Sequence, residues 1–349
     1  MTGAPTTAGP LVGAPGTPGA PVLEVRHLSK QFAIRNSRKL VHACDDVSLE
    51  LYSGQTLGLI GESGSGKTTV GRCVLRLIDP TSGSVLLESA DITKSSKREL
   101  RRLRRQMQIV FQEPAESFNP VLTVGSQIEL ALKVFSDLPP AGRKRRVADL
   151  LDRVGVPAVA AGLLPGALPA GVLQKCSIAR ALASEPRLLV LDEPTSALAP
   201  EAEADVLGLL TELQRDFGLA YLFISHDLSL VRSFCDFVAV MYLGQIVELG
   251  PKADVYTSPR HPYTRALLAA VLRPDPRQRL TRSGQGAELK GEIPSPIDLP
   301  AGCYLASRCK YVTGKCSAER QELIQIDTST VVRCWRAGDL PTAPTTGGE

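Results

Sequence analysis

No stretch of the 349 residues holds eighteen consecutive apolar side chains, so no segment of the chain is expected to cross a bilayer as a helix. The first twenty residues, MTGAPTTAGPLVGAPGTPGA, lack both a charged n-region and an apolar h-region. No secretory signal is therefore expected, and the product is expected to stay in the cytosol. A large charge of one sign is also missing: 40 Lys and Arg against 36 Asp and Glu leave a net +4. That argues against bulk nucleic-acid binding and leaves room only for a local basic patch. None of the eight cysteines pairs with another at the C-x-x-C separation of zinc ribbons. What is present reads as globular, with 43% hydrophobic and 22% charged residues, and the length suits one large or two ordinary domains.

The stretch Gly61 to Thr69, GESGSGKTT, follows the apolar run Thr56 to Ile60 and precedes Val70, Cys73, Val74 and Leu77 at helical spacing. Strand, glycine-rich loop and helix in that order fit the P-loop, whose backbone N–H groups wrap phosphate oxygens at the positive end of a helix dipole. Gly61, Gly64 and Gly66 are needed because a Cβ would block the approach. Lys67 would reach the β and γ phosphates, and the Thr68 hydroxyl would hold Mg²⁺. The expectation is a site for ATP or GTP, lined also by Ser63 and Thr69.

Elsewhere the pattern alternates between strand and helix. Residues 1–20 are small and Pro- and Gly-rich and read as a disordered tail. VLEVRHLSKQFAI from Val22 alternates as a strand, with Phe32 near its end, either an ordinary sheet aromatic or a platform for a base. VSLELYSGQTLGLIG supplies two more strands around a Ser-Gly turn, and IDPTSGSVLLES a turn and a strand. Lys94 to Gln106 is the most basic run; Leu100, Leu103 and Met107 at helical spacing favour a solvated amphipathic helix over a nucleic-acid or lipid patch. MQIVFQ reads as a buried strand ending in Gln112, and EPAESFNP as irregular. Residues 122 to about 164 read as helical with a polar linker at SDLPPAGRKRR; PGALPAGV, 165–172, breaks the pattern, and a helix resumes over Gln174–Ala183. LLVLDE delivers Asp192 and Glu193 at the end of a central parallel strand, the usual place for a metal site. Two helices are expected before LAYLFISHDL, a buried strand that delivers His226 and Asp227, and FVAVMYLGQIVELG forms a hairpin around Leu243 and Gly244.

With GESGSGKTT, Gln112, LLVLDE and His226 in this order, the chain resembles the ATP-binding subunit of an ABC transporter over residues 22–340. RHPYTRALLAAV from Arg260, GEIPSP from Gly291 and the late cysteines resemble the oligopeptide and dipeptide importer branch. The resemblance implies an α/β fold: a RecA-like P-loop ATPase core with an antiparallel β-subdomain, a helical subdomain and a small C-terminal cysteine-containing extension. Its boundaries would be a nucleotide-binding domain at 21–262, with the helical part at about 115–180, a C-terminal region at 263–340, and a tail at 341–349. It implies Mg²⁺ held through Thr68, Gln112 and Asp192, and water polarised by Glu193 for attack on the γ phosphate, with His226 contacting that phosphate and Gln112 sensing Mg²⁺ and water. Phe32 would stack on adenine. The other reading of Asp192 and Glu193 is a pair of strand-end carboxylates that cap a turn.

Two motifs depart from the family. Its signature is close to LSGGQ, and this chain has Leu168, Pro169, Ala170, Gly171 and Val172. Pro169 removes a hydroxyl and a backbone donor, Ala170 restricts φ, and Val172 replaces an amide. Ser196-Ala197-Leu198 is followed by Ala199 where the family's D-loop carries Asp. Because the resemblance implies a head-to-tail dimer, with each site built from one P-loop and the other chain's signature, a heterodimer with a second ABC ATPase of intact signature is expected. Cys303, Cys309, Cys316 and Cys334, spaced x5, x6 and x17, suit zinc or an iron–sulfur cluster equally on charge grounds. The resemblance tilts this toward a structural 4Fe-4S cluster over Zn²⁺ or free buried thiols.

The expected function is therefore an ATPase at the cytoplasmic face of the plasma membrane, peripheral to it. It would drive import of oligopeptides or dipeptides beneath two membrane-spanning permease subunits, served indirectly by an extracytoplasmic solute-binding protein, with no nucleic-acid partner. Nickel, opines or another small solute remain open as cargo. The competing classes are a soluble ABC ATPase acting on ribosome or DNA, which usually carries two cassettes or a coiled-coil insertion that this chain lacks, and a catalytically silent regulatory subunit, which the presence of Glu193 and His226 opposes.

Overall fold

Apolar runs four or five residues long become largely buried strands, and these lead into the glycine loop, Gln112 and the carboxylates Asp192 and Glu193. The computed structural model describes residues 19–270 and 289–340, which fall into two units: one of residues up to Tyr52, Leu57–Thr93 and Ser225 onward, the other of Ser53–Thr56 and Lys94–Ile224. The tails expected at 1–20 and 341–349 lie outside the described residues, save Gly19 and Ala20, as does 271–288 of the C-terminal region.

In the first unit β1 (Leu23–Ala33) pairs antiparallel with β2 (Leu40–Leu51), Phe32 opposite Val41. β3 (Thr56–Ile60) is buried at all five positions and runs into the glycine loop and α1 (Lys67–Val74). β4 (Ser82–Leu87) adds to the free edge of β1 and pairs with β5 (Ala90–Asp91), which completes an antiparallel sheet.

The second unit begins with α2 (Lys97–Leu103), shorter than the basic run, started by a capping box between Ser96 and Glu99. Leu100 is buried while Arg98, Arg101 and Arg102 face solvent, so this run is an amphipathic surface helix. β6 (Met107–Val110) stops two residues before Gln112. EPAESFNP is not wholly irregular: Pro114 takes the first position of a one-turn helix, α3 (Pro114–Ser117), where its missing N–H costs nothing. After α4 (Val124–Phe135), the expected polar linker is confined to 136–139. Pro140 opens α5 (Pro140–Arg153), because the arginines and lysine that follow are good helix formers, and Arg143 donates back to the Leu138 carbonyl at 2.7 Å. α6 (Ala170–Leu182) likewise starts earlier than its composition predicts, directly after Pro169. β7 (Leu188–Asp192) lies parallel between β6 and the later β8, with a single helix, α7 (Pro200–Phe217), following it where two were expected. Gly218 at φ 63° closes α7, and β8 (Ala220–Ile224) sets Ile224 opposite Asp192.

Back in the first unit, Asp227 caps α8 (Leu228–Phe234), and β9 (Phe237–Tyr242) runs parallel to β3, with Ile60 opposite Val240. β9 turns at Leu243 and Gly244 into β10 (Gln245–Pro251), as the hairpin pattern predicts. α9 (Lys252–Thr257) and α10 (Pro262–Ala270) follow, then α11 (Gly314–Ala318), β11 (Ile324–Gln325) and β12 (Val331–Val332), the last paired with β10. Among the described residues no helix is long and apolar enough to cross a membrane.

Candidate nucleotide site

The glycine loop has the shape that its sequence requires. Gly61 has φ +151° and a Cβ there would fall 2.3 Å from the Met241 carbonyl; Gly66 has φ +102° and its Cβ would fall 2.1 Å from the Ala43 carbonyl. Gly64, at φ +79°, faces open space. Gly64→Ala is therefore expected to cost about 1–2 kcal/mol of backbone strain alone. Gly66→Ala adds a collision with the β2 backbone, and thermal unfolding of the two variants should show the larger loss for Gly66→Ala, with ATP no longer raising its midpoint.

Lys67 is buried and folded back on the loop, its Nζ donating to the Gly61 carbonyl at 2.8 Å and the Glu62 carbonyl at 3.0 Å. Ser63 is exposed, and Thr68 and Thr69 are half-buried on the first turn of α1. That turn holds no acidic residue and its N-cap makes no side-chain hydrogen bond, so its first N–H groups suit an anion. β2 links this loop to Phe32: Ala43 packs on Gly66, and Val41 pairs with Phe32, which is 38% exposed, with Lys30 Nζ 4.9 Å from its ring centre.

In the second unit, parallel strands bring Gln112, Asp192 and Glu193 to one edge. Val110 of β6 lies opposite Leu191 of β7, so Gln112 and the two carboxylates leave neighbouring strands at the same end. Gln112 is exposed; Asp192 is buried, 6% exposed. Glu193 is half-buried with φ 49°, a left-handed backbone that non-glycine residues rarely adopt, and its N–H donates to the Ile224 carbonyl at 2.9 Å. His226 is exposed two residues beyond Ile224, next to the capping Asp227, whose carboxylate accepts from the N–H groups of Ser229 and Leu230.

Pro169 stands at the N-cap of α6 with φ −57° and ψ 148°, and no side chain caps the helix. Gly171 is required where it stands, since a Cβ would lie 2.9 Å from Ala202 Cβ on α7. Leu168 is half-buried, Pro169 and Ala170 exposed, Val172 half-buried.

Cys303, Cys309, Cys316 and Cys334 line one small cavity together with His261. Burial and the neighbouring thiols push Cys303 up to about 12, and burial foremost pushes Cys334 up to about 11 and raises Cys309, so without a cation these thiols keep their protons. The donor set has the chemistry for a soft metal or cluster. Among the described residues, however, no three His, Cys, Asp or Glu side chains are gathered closely enough to hold a metal ion.

Sequence reasoning missed three features: the left-handed backbone at Glu193, the packing of Met241 and Ala43 against the loop glycines, and a tyrosine against the loop. Only the glycines gave a signal.

A glycine loop opening a helix, with carboxylates at the ends of parallel strands, defines a P-loop ATPase of α/β architecture. The family described as "ABC transporter" matches residues 44–196, and "Oligopeptide/dipeptide transporter, C-terminal region" matches residues 247–316. The probable peptide ABC transporter ATP-binding protein y4tS of Sinorhizobium fredii is 42% identical over 318 residues, 90% of this chain and 89% of that protein. The oligopeptide transport ATP-binding protein AppF of Bacillus subtilis is 42% identical, covering 90% of this chain and 96% of its own length. Among solved structures, the post-hydrolysis dimer of the ATP-binding cassette MJ0796, bound to ADP and Pi, superposes with TM-score 0.61 at 25% identity, covering 66% of this chain and 98% of that one. The cbiO1 subunit from Clostridium perfringens gives 0.60 at 27% identity, covering 68% of this chain and 90% of that one. The chain belongs to the ATP-binding subunits of ABC transporters, in the oligopeptide/dipeptide family, and is an ATPase coupled to transport.

Proposed function

We propose that the chain drives import of short peptides as one half of an asymmetric ATPase pair, held at the cytoplasmic face of the plasma membrane by two membrane-spanning subunits and fed by an extracytoplasmic solute-binding protein. The similarity to y4tS and AppF, both named for peptide transport, supports the cargo class. In this reading the loop from Gly61 to Thr69 cradles the ATP phosphates, Lys67 swings from the Gly61 and Glu62 carbonyls onto them, and Phe32 stacks on adenine. Thr68, Gln112 and Asp192 hold Mg²⁺, directly or through water. Glu193 orients the attacking water and His226 steadies the γ phosphate.

The observation that carries the asymmetry is Pro169 at the head of α6. A proline there offers neither hydroxyl nor N–H, and the helix has no side-chain cap to take their place. Two copies of this chain would give two sites short of donors, whereas a partner with an intact signature completes the site built on Lys67 and Glu193. Docking beneath membrane subunits is supported by apolar side chains left in solvent on the helical part of the second unit: Val121 is 77% exposed, Val159 75% and Val134 57%, with Leu122 next to Val121 exposed as well. For the C-terminal cysteines, which line one cavity without standing at ligand distance, a structural 4Fe-4S cluster, or zinc in its stead, would have to draw the four sulfurs together. The cluster would supply a cross-link for an irregular, proline-bearing segment.

A gentle detergent pull-down from native membranes tests the assembly. Recovery of two polytopic proteins and a second ATPase with an intact signature is the expected result, with iron, sulfide and zinc contents of the complex deciding the occupant of the cysteines. Recovery of this chain alone, or with ribosomal or DNA-repair proteins, would sink the transporter assembly proposed here.

A further inference from the structure

Glu62, the second residue of the glycine loop, is held by its backbone from two sides. Its carbonyl accepts from Lys67 Nζ at 3.0 Å, and its N–H donates to the Tyr263 hydroxyl at 3.2 Å, from a residue 201 positions away in sequence. Tyr263 is fully buried, and burial raises its hydroxyl above the ordinary tyrosine range, so it stays neutral and able to accept. Its ring rests on Tyr242, centroids 4.6 Å apart and tilted by 46°. The Tyr242 hydroxyl in turn accepts from Arg308 Nη1 at 3.4 Å, with the guanidinium 5.9 Å from the Tyr242 ring centre. Arg308 belongs to the cysteine-bearing segment and immediately precedes Cys309.

The same segment reaches the loop by a second route. Tyr304, next to Cys303, and Arg320 both donate to Asp45 Oδ2. The Asp45 N–H donates to the Gly244 carbonyl at 2.9 Å, and the Gly244 N–H donates to the Ser65 carbonyl at 3.0 Å, back inside the glycine loop. A third arm, Arg333 beside Cys334, donates to the Asp46 carbonyl at 3.1 Å and its carboxylate at 3.0 Å. Three of the four cysteines thus have a sequence neighbour that grips the nucleotide-binding unit.

We infer that Tyr263 is a positioning residue for the glycine loop, and that through Tyr263 and Asp45 the cysteine-bearing segment sets the loop's affinity for nucleotide. A loop that cradles phosphate with backbone N–H groups must fix several peptide planes at once, and each plane fixed beforehand is freedom that binding need not remove. Tyr263 fixes the Gly61–Glu62 peptide plane, whose carbonyl, that of Gly61, accepts from Lys67 Nζ at 2.8 Å. The hydroxyl is the atom through which α10 reaches that plane, and the Tyr263 ring rests on Tyr242, which Arg308 holds.

The inference rests on the loop being the ATP site, and the test separates the two. A fluorescent ATP analogue is titrated into the full-length parent, Lys67→Ala, Tyr263→Phe, Arg308→Met and the Tyr263→Phe/Arg308→Met double variant, with hydrogen exchange followed at the Glu62 amide. Lys67→Ala should lose binding; binding at the parent level would overturn the site itself. Tyr263→Phe, which keeps the ring, should raise Kd about three- to tenfold, the worth of one neutral hydrogen bond. Arg308→Met should raise Kd less, and the double variant should be no weaker than Tyr263→Phe alone. Glu62 exchange should quicken in Tyr263→Phe and in Arg308→Met, and in the assembled transporter KM for ATP should rise with kcat nearly unchanged in these two, which a merely destabilised protein would not show. Loss of binding in Lys67→Ala together with an unaltered Kd in Tyr263→Phe, or additive effects in the double variant, or unchanged Glu62 exchange, would overturn the inference and leave the site standing.

Discussion

Glu193→Gln in the assembled transporter is expected to lower ATP turnover at saturating ATP by about 10²–10⁴-fold, the range for loss of a positioned acid–base group, while ATP binding is retained. The substitution keeps the shape of the side chain and leaves intact the backbone that positions it. That backbone is the physical basis for the expectation. Glu193 sits at φ 49° directly after Asp192, and its N–H is tied to the Ile224 carbonyl at 2.9 Å. A non-glycine residue held in the left-handed region costs about 1–3 kcal/mol and persists only where its surroundings determine it. Here the tie to β8 does so. Steady-state turnover and nucleotide binding, measured on the same preparation, separate loss of chemistry from loss of the site. Unchanged turnover would mean that hydrolysis belongs to the other site of the pair and would count against the assignment of Glu193.

Much of this was legible in the sequence because it is local. Five-residue apolar runs such as Leu188–Asp192 and Ala220–Ile224 fold as fully buried strands, and a loop whose Gly61 and Gly66 cannot carry a Cβ announces its own geometry. Local reasoning failed where a proline was read as a stop. Pro114, Pro140 and Pro169 each stand at the start of a helix, where the missing N–H would have had no partner in any case, so helices begin in stretches whose composition predicts a break. What could not be read at all is what long-range packing decides. Tyr263 meets Glu62, and Ala43 and Met241 close on Gly66 and Gly61, across separations that no periodicity records. The four cysteines are an intermediate case: their clustering in sequence points to a metal site, and they do line one cavity, but among the described residues no three metal-binding side chains are gathered closely enough to hold an ion.

Restoring the signature, by Pro169→Ser with Ala170→Gly and Val172→Gln, is expected to raise the turnover of this chain assayed alone by about a hundred- to a thousandfold, the loss attributed to one missing transition-state donor. The scaffold is ready for the change. Pro169 already has the extended φ of −57° and ψ of 148° that a capping serine adopts, so Ser at this position can take up the N-cap without moving α6. Its hydroxyl would cap a helix that now has none, which should also add about 1 kcal/mol to stability. Gly171 is kept, because α6 and α7 approach too closely for any Cβ there, 2.9 Å from Ala202. The separation of the two effects is what makes the experiment decisive. A gain in thermal stability without a gain in turnover would show that the helix start is repaired and yet does not limit hydrolysis, so that the parent's two sites cycle alike. A gain in both, absent when Glu193→Gln is added, would place the missing donors at Pro169 to Val172 and the chemistry at Glu193 of the opposite copy. The parent chain would then need a second, intact ATPase for the same physical reason: a helix capped by proline lacks the hydroxyl and the N–H that a serine at that position would add to its grip on a phosphate.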